Sequence, residues 1–176
     1  MDACSSTVAY FAVGYAFAFG GTLDNDASTN NDTTFLGLTN FFLQGLDDHY
    51  AFWLFQWAFS TAATTIVAGT LAERCQMSGY LSYSALLSGF VYPVIAHAVW
   101  SSQGFLSANH SEPLWSVGMV DFAGSGVVHF TGGLTALYAT WILGARKGRF
   151  HDEDGELLEM PCEIKGHSPA LQVRNA

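Results

Sequence analysis

The stretch DFAGSGVVHFTGGLTALYATWIL, residues 121–143, decides the fold. After its opening acid, no Asp, Glu, Lys or Arg follows until Arg146. Crossing the hydrocarbon core of a bilayer as a helix takes roughly 20 predominantly apolar residues, and this run is long enough. Gly124, Gly126, Gly132 and Gly133 suit helix contacts in lipid, where small residues let backbones approach. Two residues resist a pure packing account. Asp121 opens the run, and His129 sits inside it, where an ionisable group is costly and faces a bundle interior or an aqueous path.

Outward from this segment the pattern repeats. Charged residues are absent from Ala3 to Leu23, from His49 to Ala72 and from Cys75 to Ser111. Half of the 176 residues are hydrophobic and 12% are charged, against about 25% in soluble domains. These runs predict an all-α polytopic membrane protein with about four transmembrane helices, at about 3–22, 51–72, 80–100 and 121–144. Residues 1–150 form its membrane domain, and 151–176 form a polar loop or tail. Pro93 inside the third span would break a soluble helix but is tolerated in a membrane when neighbours satisfy the freed backbone.

The six basic residues, Arg74, Arg146, Lys147, Arg149, Lys165 and Arg174, all follow the second or the fourth span. By the positive-inside rule, 73–79 and 145–176 are cytoplasmic and loops 23–50 and 101–120 external. The sequons Asn31-Asp32-Thr33 and Asn109-His110-Ser111 both fall in the external loops. The net charge of −9 speaks against a nucleic-acid partner. Most acids sit in 24–48 and 152–163, so that charge belongs to loops. No basic region precedes the first apolar run, which argues against a cleaved signal peptide. Cys4, Cys75 and Cys162 show no paired spacing. No nucleophile–base–acid grouping, phosphate loop or metal cluster stands in the chain, so neither an enzyme nor a cofactor is expected.

The candidate site residues each carry two readings. Asp121 is a favoured N-cap, and its charge also favours a cation at an external entrance. On a helix, His129 lies about 12 Å further along and about 80° around the axis, so both can border one path. His129 is either that path's polar foothold or a neutral side chain bonded to another helix. Phe55 and Phe59 share a helix face, with Phe52 three residues before Phe55; the stripe is packing or a gate. Trp100 ends the third span as an interfacial anchor or as a cation's aromatic face. His97, near the same end, reads as structural.

The stretches FQWAF (55–59), GTLAER (69–74), GFVYPVIAHAVW (89–100) and DFAGSGVVH (121–129), followed by GARKGRF and GHSPAL, resemble the ammonium transporter family, which includes methylammonium permeases and Rhesus proteins. The resemblance covers nearly the whole chain and leans towards ammonium transporters of plant type and other eukaryotic type. It implies that Trp100 belongs to an external ammonium recruitment site, that Phe55 and Phe59 contribute to its wall and to a phenylalanine constriction, and that Asp121 supports it. His129 resembles the first of two pore histidines that share a hydrogen bond.

The family fold implied is an eleven-helix inverted repeat assembled as trimers, with the path between the repeats. The four spans match its helices two to five, so the chain is expected to be a fragment lacking the second pore histidine and the serine of the recruitment site. The resemblance thus implies ammonium or ammonia transport in a bilayer, with methylammonium as analogue, a plasma-membrane location, and homo- or hetero-trimers with transporter subunits. Two other readings are a non-conducting subunit that modulates full-length transporters and, more remotely, a haem-binding electron carrier using His97 and His129.

Overall fold

The structure, a computed structural model, describes residues 2–22, 33–151 and 155–162. Asn31 and Asp32 of the first sequon and the GHSPAL stretch lie outside the described residues. Helix α1 begins as Asp2–Ala9, passes through a π-helical turn at Tyr10–Gly14 and closes as Tyr15–Phe19. Helix α2 is Tyr50–Leu71. Helix α3 runs as Met77–Leu86, a π turn at Leu87–Val91, then Tyr92–Trp100. Helix α4 opens with a π turn at Ser125–Phe130 and continues as Thr131–Leu143. Among the described residues there is no strand, only isolated bridges such as Thr34 to Gly104 and Ser107 to Met119. The fold is therefore all-α.

Three helical stretches, Asp47–Leu71, Met77–Trp100 and Ser125–Leu143, are long and apolar enough to cross a membrane, at 25, 24 and 19 residues; Ala3–Phe19 is shorter. Helices are what such sequences form in lipid, where every backbone donor and acceptor must be satisfied within the segment. The fourth helix begins at Ser125 rather than near 121. Residues 121–124 turn instead, with Gly124 at φ 92°, a left-handed conformation that glycine adopts without steric penalty.

The buried side of α2 is Gln56, Ser60, Ala63, Thr64, Val67, Ala68 and Leu71, a spacing of threes and fours that traces one helical face. Small residues on that face bring α4 close, with Gly132 lying against the Ala63 carbonyl and the Ile66 side chain. A core of Tyr10, Tyr15, Phe19, Tyr92, Ala96, Val99, Val127 and Val128 joins α1, α3 and α4. Pro93 follows directly on the π turn of α3, where Tyr92 donates its N–H five residues back to the Leu87 carbonyl. Widening of this kind accommodates a ring that cannot continue the regular ladder.

At the opposite end of the bundle from Trp100, the tips of α2 and α4 are tied together. Arg74 donates through Nε to the Gly144 carbonyl at 3.0 Å and through Nη1 to the Thr70 carbonyl at 2.7 Å. Arg146 pairs with Glu73 at 2.7 Å. The outer face of α4 is apolar and uncovered, with Phe130, Leu137, Trp141 and Ile142 all exposed, as for a surface that meets lipid or further helices.

Helices α1 and α3 pack tightly at Gly14, where a Cβ would stand 2.5 Å from the Ser88 carbonyl oxygen and 2.7 Å from the Tyr10 ring. Gly14→Val is expected to force the two helices apart and to destabilise the bundle by about 1–3 kcal/mol. A thermal melt in detergent micelles, followed by circular dichroism, measures the shift.

Candidate functional site

Helix α2 presents Phe52, Phe55, Gln56 and Phe59 to a cavity of about 370 Å³, and the end of α3 brings Trp100 to the same space. Phe19 of α1 and Asp121, ahead of α4, complete the parts of the wall that matter here. The aromatic rings form a run of three, Phe55, Phe59 and Trp100, and a separate pair, Phe19 and Phe52. Phe55 and Phe59 meet edge-to-face at 4.9 Å between centroids, Phe59 and Trp100 at 5.5 Å, and Phe19 and Phe52 at 5.2 Å. Such tilted contacts follow the ring quadrupoles, the positive edge of one ring meeting the negative face of the next, and a face left uncovered attracts a cation. Phe55 remains more than half exposed, so the run opens outward at that ring.

Trp100 is held in place from the side. Its indole Nε1 donates to the main-chain carbonyl of Asp121 at 2.7 Å. The Asp121 carboxylate in turn caps the start of α4. Oδ1 accepts from the backbone N–H of Gly124 at 2.8 Å, that of Ser125 at 2.9 Å and the Ser125 hydroxyl at 3.2 Å. Oδ2 accepts from the N–H of Gly126 at 2.9 Å and of Val127 at 2.7 Å. Five donors therefore engage the two oxygens, and the side chain is buried. Burial alone would raise the carboxyl pKa, but the bonds from the Val127, Gly124, Gly126 and Ser125 N–H groups outweigh it and hold the group below its ordinary value. Bonds from N–H donors stabilise the ionised form, which is the cause of that direction.

His97 is buried between α1, α3 and the segment around Thr34. Its Nδ1 lies 2.9 Å from the Ala18 carbonyl and its Nε2 2.8 Å from the Thr34 hydroxyl. A carbonyl can only accept, so Nδ1 carries the proton, and in the neutral ring the threonine hydroxyl donates to Nε2. Both nitrogens are thereby engaged, and His97 offers none to a haem iron. Thr22 and Ser101 hydroxyls at 2.9 Å, and Gly37 N–H donating to the Phe17 carbonyl at 2.9 Å, fasten neighbouring parts of the same end.

Of the sequence-derived candidates, Phe55, Phe59, Trp100 and Asp121 thus border one cavity, while His129 does not. His129 lies on the π turn of α4 with its side chain exposed. Asn109 stands exposed on the cavity rim, in the loop after α3. Gln56 escaped the reading of the FQWAF stretch, which weighed the two phenylalanines; its signal was an amide alone in an aromatic half-helix.

This arrangement defines an all-helical membrane protein with an aromatic cavity at one end of its bundle. The chain belongs to the Ammonium Transporter Family, whose family model matches residues 1–171. It is 45% identical over 175 residues to ammonium transporter 1 member 1 of Oryza sativa subsp. japonica, covering 98% of this chain and 33% of that protein. Putative ammonium transporter 1 member 5 of Arabidopsis thaliana is 43% identical over 177 residues, with 98% and 33% covered. The crystal structure of Candida albicans Mep2 superposes with a TM-score of 0.67 at 28% identity, over 83% of this chain and 30% of that one. The chain spans about a third of the length of these relatives.

Proposed function

We propose that these residues form one wall of an ammonium transport pathway in the plasma membrane. The Trp100 end faces outside, and the Arg74–Arg146 end faces the cytoplasm. The observation that carries this reading is the aromatic cavity joining Phe55, Phe59 and Trp100 beside Asp121, in a chain of this family. A small cation arriving from water meets ring faces that attract it without offering it a tight ligand cage. Asp121 holds Trp100 through its carbonyl and adds negative potential at the mouth, though its own oxygens are occupied by the start of α4. Beyond the phenylalanines the surroundings are apolar, so passage favours shedding charge or water. His129 is the polar group on that inner stretch, and its exposure suits a partner supplied by further helices. Solute crosses without covalent change, residues 1–150 form the membrane part, and the working assembly is a trimer with transporter subunits.

Methylammonium uptake in cells lacking their own ammonium transporters tests this. Chimaeras joining this chain to the remaining helices of a relative are expected to take up the analogue, with a several-fold loss on His129→Ala. A silent chimaera that reaches the membrane contradicts the transport reading. Reduced uptake by a co-expressed full-length transporter would then favour a modulating subunit.

A further inference from the structure

We propose that Gln56 is the residue through which the cavity distinguishes cations carrying N–H groups from those without them. The inference rests on the aromatic cavity receiving a cation, and it adds the selectivity of that step. Gln56 lines the cavity and is 6% exposed, yet its Oε1 is buried with no hydrogen-bond partner. Buried polar side chains are nearly always paired, and an unpaired amide in apolar surroundings is costly. An amide left this way on a cavity wall is poised for a partner that arrives with the solute.

The other polar side chains of the wall are less suited to that role. Both carboxylate oxygens of Asp121 are taken by donors at the start of α4, and its main-chain carbonyl accepts the Trp100 indole N–H. Trp100 itself has only a donor to offer. Asn109 is an exposed residue of the rim. The rings attract a cation by its charge and size and offer its N–H groups no acceptor atom. Directional recognition is left to Gln56, whose amide ends exchange by rotation about the last side-chain torsion, turning the oxygen to the cavity. One acceptor replaces a water on an ammonium ion through a single N–H···O bond. A quaternary ammonium, rich in methyl groups, gains nothing from it.

The test is equilibrium dialysis of the 176-residue chain in lipid nanodiscs, with radiolabelled methylammonium and, in parallel, tetramethylammonium. Gln56→Leu is expected to weaken methylammonium about tenfold, as for loss of a hydrogen bond to a charged group, and to leave tetramethylammonium within about twofold. Gln56→Glu, which keeps an oxygen acceptor, retains methylammonium. Should Gln56→Leu fail to fold by circular dichroism, Gln56→Met provides the same comparison with a better match in shape. Equal weakening of both cations, or no change in either, overturns the role assigned to Gln56 while leaving the cavity reading intact. Failure of the wild-type chain to bind either cation overturns the cavity reading, and the inference falls with it.

Discussion

Asp121→Ala unfolds the start of α4. The substitution leaves four backbone N–H groups, those of Gly124 to Val127, without the carboxylate that now receives them. Loss of a single N-cap typically costs about 1 kcal/mol. Bonds to a charged group are stronger, and buried donors left unpaired carry their full desolvation penalty, so the expected cost is at least about 3 kcal/mol. Asp121→Asn is expected to lose about half as much. Its one oxygen can serve one pair of donors, while its NH₂ points at the other. Melting curves of the two variants in detergent, followed by circular dichroism, give the order wild type, Asn, Ala.

The same site predicts a pH dependence with a definite sign. The folded-state pKa of Asp121, which precedes the Ser125–Leu143 span, lies below its ordinary value. A depressed carboxyl pKa adds stability that is fully present above the unfolded value of about 4. It is lost as pH falls from there through the folded value. The wild-type melt should therefore decline in that acid window, and the decline should be smaller in Asp121→Asn. An identical acid slope in both proteins would locate the effect elsewhere.

Trp100→Leu is expected to weaken methylammonium binding about 30-fold, which corresponds to about 2 kcal/mol for a desolvated cation on an indole face. Two things are lost together: the ring face at the cavity and the N–H that donates to the Asp121 carbonyl. Trp100→Phe separates them. It keeps an aromatic face beside Phe59, which Trp100 contacts edge-to-face, but leaves the Asp121 carbonyl without its donor, so an intermediate loss is expected. Dialysis on nanodisc-embedded protein reads all three chains. Equal affinity in the wild type and Trp100→Leu would show that the cation is held elsewhere and would remove the central support for the proposed pathway.

Much of the helical plan is legible in the residues because lipid imposes it. A charge-free run such as 49–72 must satisfy its backbone internally, and helix α2, Tyr50–Leu71, does so. The α3 run could likewise be read through Pro93, since the freed backbone is accommodated by the π turn at Leu87–Val91. Family membership is legible from the order of FQWAF, GFVYPVIAHAVW and DFAGSGVVH, and the family model agrees over residues 1–171. What stayed hidden depends on groups distant in sequence. The bond between Trp100 and Asp121 joins residues 21 apart, and the grip on His97 comes from Ala18 and Thr34, 79 and 63 residues away.

The sequence by itself determined that this chain is helical, that its helices are apolar enough for a bilayer, and which family it resembles. Those properties follow from local composition and order along the chain. Tertiary structure alone decided that the Trp100 indole donates to the Asp121 carbonyl, that Oε1 of Gln56 is buried without a partner, and that His129 stands apart from the cavity. Burial and hydrogen-bond partners arise only when helices meet, and one-dimensional spacing does not contain them.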